Sequence, residues 1–96
     1  MTNQKIVEIA QSMEKLTIQA HGLYTDLVDE IISNQLRDQN QIERALDGIL
    51  NFCFDPQMLL LYKKLCRYYF NINPQATAEY IYIYRDMWDT ESEDND

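Results

Sequence analysis

Few side chains in this sequence could carry out chemistry, and the single histidine is the first to consider. His21 stands at the border of an apolar stripe, and Glu14 lies two helical turns earlier on almost the same bearing. A metal site needs three or four converging ligands. The Glu-x-x-His pair of di-iron carboxylate bundles is missing, because Ile18 stands three residues before His21. We therefore interpret His21 as a boundary histidine near a carboxylate, and predict no metal and no cofactor.

Nucleophilic catalysis needs a nucleophile, a base and a group that orients the base. The sequence offers one histidine for these roles, and its two glycines form no phosphate-binding loop. We predict no catalytic residues and no enzymatic activity.

The two cysteines, Cys53 and Cys66, are thirteen residues apart and match no metal-binding spacing. If their helices run antiparallel about a turn at Asp55, Cys66 lies roughly 10 Å further along the axis than Cys53. That separation exceeds the reach of a disulfide. The sequence therefore predicts two buried free thiols.

A cluster of basic residues, Lys63, Lys64 and Arg67, follows the polar face of a predicted helix, with Leu60 beside it. Such a cluster could meet nucleic acid or an acidic partner. A helix-turn-helix reads bases mainly from the start of its second helix, whereas this cluster begins in the second turn. The sequence pI of about 4.4 also opposes tight phosphate binding. The alternative is a solvated stripe that engages the acidic tail or the side chains of Glu79 and Asp86.

An exposed aromatic is typical of a contact surface, and Tyr82 falls on the polar side of its predicted helix. Together with the basic cluster it defines a candidate interaction surface. This surface consists of Leu60, Lys63, Lys64, Arg67 and Tyr82.

These side chains must be positioned by helices. Two glycines and two prolines in 96 residues are too few for the turns of an all-β protein. Apolar residues recur with helical period in four segments, and Asp38, Asp55-Pro56 and Asn73-Pro74 are typical helix starts. We predict an all-α, four-helix bundle-like domain over residues 1–88, with helices at about 3–32, 39–53, 56–70 and 74–89.

The third helix organises the others, because its apolar side chains fill an arc of about 200°, twice the width of an ordinary surface helix. It must therefore be covered on two sides. The alternating segment from Tyr80 to Tyr84 resembles a strand, but its helical wheel favours a helix with an apolar face. Buried tyrosines on the last two helices need hydrogen-bond partners, which predicts a polar seam between these helices.

The first helix carries an apolar stripe that keeps its phase through Gly22, so one continuous helix is expected, with Gly22 facing solvent. Gly48 is placed on the polar face of the second helix. At about 44 Å, the first helix is nearly twice as long as the others and must overhang the bundle or fold back. The unbroken stripe favours the overhang, and an exposed stripe favours a homodimer. The candidate dimer stripe is Ile6, Ile9, Met13, Leu16, Ala20, Leu23 and Leu27.

Charge is concentrated at the C-terminus. Residues 89–96 hold five acids and no base, so they contribute −5 to the net charge of −8 and are expected to form a disordered acidic tail. No apolar run reaches the roughly 18 to 20 residues of a membrane span, and the first residues are unlike a secretory signal. These features indicate a cytoplasmic protein with no membrane contact.

The leading functional hypothesis is a small intracellular interaction or adaptor module, homodimeric through the first helix. An acidic regulator that mimics nucleic acid and occupies a basic cleft is the alternative. Deleting the tail, residues 89–96, would distinguish the two, because only the mimic depends on that charge.

Overall fold

The computed structural model describes residues 2–89, with their side chains from residue 4 onward. It contains four α-helices: α1 (Thr2–Ser33), α2 (Gln39–Leu50), α3 (Pro56–Phe70) and α4 (Pro74–Met87). No strand occurs among these described residues. The predicted all-α, four-helix architecture is therefore confirmed, including a helix where Tyr80 to Tyr84 alternate like a strand.

Three helices begin where the sequence places a capping side chain. The Asp38 carboxylate accepts hydrogen bonds from the backbone N–H groups of Asn40 and Gln41, at 3.0 and 3.4 Å. Asp55 caps α3 in the same way, and Asn73 accepts from the N–H of Ala76 at 3.0 Å. Each such cap contributes about 0.5 to 2 kcal/mol. Local chemistry thus fixes where α2, α3 and α4 start.

Helix α2 ends at Leu50, three residues before the predicted end. The next residues form tighter turns, in which Phe52 N–H donates to the Ile49 carbonyl at 2.9 Å and Cys53 N–H to the Leu50 carbonyl at 3.3 Å. Asp55 must be extended to cap α3, and a residue before proline avoids the helical region. The chain therefore leaves the helix early.

The core is built around α3, which packs against each of the other three helices. Its buried residues are Met58, Leu61, Tyr62, Leu65, Cys66 and Tyr69. The broad apolar face predicted for this helix is thus covered, with the exception of Phe70 at its end, which is exposed. Both cysteines are free and buried, as predicted.

Buried tyrosine hydroxyls connect the helices. Tyr62 donates to the Tyr80 carbonyl at 2.8 Å, which is a contact between α3 and α4. Tyr69 donates to the Glu43 carboxylate, and Tyr80 to the Asp47 carboxylate at 2.8 Å. The polar seam therefore extends beyond the predicted α3–α4 boundary and reaches the carboxylates of α2.

Helix α4 is less covered than its apolar stripe predicts. Thr77 and Tyr80 are buried, whereas Ile81, Ile83 and Met87 are exposed. The helix ends at Met87, two residues before the predicted end. Trp88 leaves the helical conformation, and its indole N–H donates to the Leu50 carbonyl at 2.8 Å. Apart from Asp89, the predicted acidic tail lies outside the described residues.

Alkaline pH is expected to destabilise this core. Burial raises the pKa of Cys53 to about 12 and that of Cys66 to about 11, from an ordinary 9.0. Burial also raises the pKa of Tyr62, Tyr69 and Tyr80 above the ordinary 10.0. Between about pH 9 and pH 12 the unfolded chain therefore loses protons that the folded chain keeps, and the free energy of unfolding falls. Urea unfolding across this range measures the effect, and a free energy of unfolding that stays constant or rises would contradict it.

Candidate functional site

The N-terminal half of α1 extends beyond the bundle. Every described side chain from Gln4 to Leu16 is exposed, and Thr17 is the first buried one. The helix is continuous over 32 residues, which is about 48 Å at 1.5 Å per residue. The predicted overhang is therefore present, and Gly22 is exposed, with no atom of another part of the protein within 4 Å of a Cβ built on it.

The candidate dimer stripe divides at Thr17. Ile6, Ile9, Met13 and Leu16 are all exposed on the overhang, as is Leu23 further along, with exposed fractions of 47 to 68%. Ala20 and Leu27 are half-buried and pack against the core. The stripe therefore links the covered part of α1 to its uncovered part.

The seven stripe residues are spaced alternately three and four positions apart, which is the a/d pattern of a two-helix coiled coil. The neighbouring positions Ala10, Ser12 and Gln19 are uncharged, and two of them are small. The charged residues Glu8, Glu14 and Lys15 lie on other faces of the helix at 100° per residue. Lys5 also flanks the stripe, at the N-terminal end of the overhang. A second helix could therefore approach the stripe closely from Ile9 onward without burying a charge.

The five residues of the predicted interaction surface do not line one groove. Leu60 and Lys64 line a shallow groove between α1 and α3, with His21 and Thr25. The Lys64 ammonium lies 3.2 Å from the Asp29 carboxylate, and both side chains are more than half exposed. Such a pair contributes at most about 1 kcal/mol.

Lys63 and Arg67 line a different groove, between α3 and α4. Tyr82 is exposed on α4, as predicted, and does not line either groove. The basic cluster is therefore divided, with Lys64 facing α1 and the other two cations facing α4.

The α3–α4 groove has a volume of about 570 Å³. Its walls follow one face of each helix and are mainly apolar, with cations along the rim. The lining residues are Leu59, Tyr62, Lys63, Cys66, Arg67, Phe70, Thr77, Ile81, Tyr84, Arg85 and Asp89. Of these, Phe70 and Ile81 are the large apolar side chains most open to solvent.

Two hydroxyls inside this groove have partners within the protein. The Tyr62 hydroxyl donates to Tyr80, and the Thr77 hydroxyl donates to the Asn73 carbonyl at 2.8 Å. Burial, and to a lesser extent the charge of Asp89, raises the pKa of Tyr84, so that phenol is neutral. A ligand would therefore meet carbon at the floor and positive charge at the rim.

Helical wheels of the single segments did not find this groove. Arg85 falls on the polar side of α4 and Ile81 on its apolar side, and neither wheel shows that Lys63 and Arg67 lie across from them. The signal in the sequence is the pairing of an apolar and a basic residue on both helices, at Leu59 and Lys63 and at Ile81 and Arg85. Each pair is four positions apart and shares a helical face.

Within residues 2–89, no three histidine, cysteine, aspartate or glutamate side chains converge to hold a metal ion. In the same range, no helix combines the length and apolar character needed to cross a membrane.

In comparisons with family models, with curated proteins and with solved structures, nothing matches this chain.

Proposed function

We propose that this chain is a small intracellular protein-interaction module that forms a homodimer through α1. The observation that carries the proposal is the overhang, a helical segment whose apolar residues keep coiled-coil spacing and are exposed to water. The two buried free thiols are compatible with a reducing compartment.

Exposure of this stripe is energetically unfavourable. Burying one Leu, Ile or Met side chain contributes about 1.5 to 3 kcal/mol, and the overhang exposes four of them in one row. The bundle cannot cover this row, because the first buried residue of α1 is Thr17. A partner must therefore supply the cover.

A second copy of the chain fits this requirement. It carries the same stripe in the same spacing, so a two-fold axis would place each stripe against its mate and close the assembly. The flanking residues Ala10, Ser12 and Gln19 are uncharged, so two identical helices can approach there without repulsion between like charges. Lys5, the charged flank, lies at the end of the overhang. The two bundles remain outside the paired segments, so their other surfaces stay available for a partner protein.

Two neighbouring substitutions test the dimer. Leu16→Glu places a charge in the stripe, whereas Ile18→Glu places the same charge on another face of α1. The two side chains are similarly exposed, Leu16 at 53% and Ile18 at 65%. In sedimentation velocity across the micromolar range, we expect the unmodified chain to sediment as a dimer and Leu16→Glu as a monomer. The Ile18→Glu variant should remain dimeric.

Circular dichroism serves as the control for folding, because Leu16 and Ile18 are both exposed and the bundle should survive either change. A monomeric unmodified chain would overturn the proposal. So would dissociation by Ile18→Glu to the same extent as by Leu16→Glu.

A further inference from the structure

We infer that the α3–α4 groove binds a single-chain amphiphile with a carboxylate head, such as a medium-chain fatty acid. The groove is separate from the α1 stripe: its lining residues run from Leu59 to Asp89, and all of them lie on α3, on α4 or just after α4. The inference therefore does not depend on the homodimer.

The shape of the groove favours a slender ligand. Its volume of about 570 Å³ lies within the roughly 300 to 1,000 Å³ of small-molecule sites. The α3 lining runs from Leu59 to Phe70, which is about 16 Å along the helix axis at 1.5 Å per residue. An extended alkyl chain can lie along a groove of this length.

The floor and walls suit an alkyl chain. Leu59, Phe70, Ile81 and the Tyr84 ring present carbon to the groove. The hydroxyls of Tyr62 and Thr77 already donate to backbone carbonyls. A polar ligand body would therefore find few unsatisfied groups, whereas an apolar one would be removed from water.

The rim suits a carboxylate head. Lys63, Arg67 and Arg85 are three of the eight basic residues in a chain of net charge −8, and all three line this groove. The guanidinium groups of Arg67 and Arg85 have the planar donor geometry that matches a carboxylate. Among the residues that the structure describes, Asp89 is the one acid in the lining. This described lining therefore carries a net excess of two positive charges, in a chain whose net charge is −8.

A second copy of α1 is a poorer occupant of this groove. The overhang from Gln4 to Leu16 contains two lysines and two glutamates, so its net charge is zero and the cationic rim is not matched.

Three probes test the ligand class on the full chain by amide chemical-shift titration: decanoate, decyltrimethylammonium and acetate. Decanoate has both the chain and the anionic head, the ammonium compound has the same chain with the opposite charge, and acetate has the head alone. We expect saturable binding of decanoate, with shifts concentrated at the groove residues of α3 and α4. The other two probes should bind at least about tenfold more weakly, because the ammonium compound lacks the anionic head and acetate lacks the alkyl chain.

Variants with matched controls locate the site. Arg67→Gln combined with Arg85→Gln should weaken decanoate binding about tenfold or more, while Lys64→Gln, on the other groove, should not. Ile81→Gln should also weaken binding. Ile83→Gln is its control, because Ile83 does not line the groove. Its side chain is 42% exposed, close to the 44% of Ile81.

Equal affinity for decanoate and the ammonium compound would overturn the inference, as would shifts centred on residues 4–16. Binding to vesicles of anionic phospholipid without binding to free decanoate would also overturn it. The Leu16→Glu variant separates this inference from the proposed function, because it should lose the dimer and keep decanoate binding. If decanoate does not bind, the sedimentation result is unaffected.

Discussion

Replacing Tyr69 by alanine is expected to lower the free energy of unfolding by about 3 to 5 kcal/mol. Tyr69 is fully buried, at 0% exposure, on the helix that contacts all three others. Removal of its ring leaves a cavity that the surrounding helices can fill only in part. A domain of this length has a total stability of roughly 5 to 14 kcal/mol at about 0.05 to 0.15 kcal/mol per residue. This one change therefore removes a large fraction of it, which urea unfolding followed by circular dichroism would measure.

The Tyr69→Phe variant separates the ring from its hydroxyl. The hydroxyl donates to the Glu43 carboxylate and lies 3.3 Å from the side-chain oxygen of Gln39, so it connects α3 to α2. Its loss should lower the free energy of unfolding by about 1 to 2 kcal/mol, because Glu43 is half-exposed and water can replace the donor.

Tyr82 provides the matched control, because it is the same residue type on an exposed surface. Its alanine and phenylalanine variants should change the free energy of unfolding by less than about 0.5 kcal/mol. If Tyr69→Ala lowered the free energy of unfolding by less than about 1 kcal/mol, the Tyr69 ring would not stabilise the core to the extent that its burial implies.

Most of the fold could be predicted because it is determined by local chemistry. The side chains of Asp38, Asp55 and Asn73 cap the helices that follow them, and these caps depend on residues two or three positions away. The overhang was also predictable, because Thr2–Ser33 is about twice as long as any other helix and keeps its apolar phase throughout.

What could not be predicted depends on how helices cross. A wheel for α4 places Ile81 and Ile83 on one apolar face, but it does not show that α4 lies at the edge of the bundle, where both remain exposed. The wheel for α3 groups Lys63, Lys64 and Arg67, whereas the positions of α1 and α4 divide them between two grooves. The α3–α4 groove belongs to a pair of helices, so a single segment does not reveal it.

Gly48 shows the same limit for a single residue. Its position on the wheel indicates only a weak helix former on the polar face of α2. In the structure the Tyr24 ring of α1 packs directly over it. A Cβ built on Gly48 would stand 2.5 Å from Cζ and 2.9 Å from Cε1 of Tyr24, and closer still to the hydroxyl. The glycine therefore permits the close approach of α1 and α2.

Gly48→Ala is accordingly expected to lower the free energy of unfolding by up to about 2 kcal/mol, although alanine is the better helix former by about 1 kcal/mol. The Tyr24 ring packs against the core, so displacing it forfeits contacts, and overpacking typically costs about 1 to 3 kcal/mol. Urea unfolding at neutral pH measures the change.

Gly22→Ala is the matched control, because the same substitution in α1 meets nothing within 4 Å. It should raise the free energy of unfolding by about 0.5 to 1 kcal/mol through helix propensity alone. In a chain that carries Tyr24→Ala the clash is absent. There, Gly48→Ala should raise the free energy of unfolding. If Gly48→Ala stabilises the unmodified chain as Gly22→Ala does, the Tyr24 ring yields without loss and the close packing of α1 on α2 does not require the glycine.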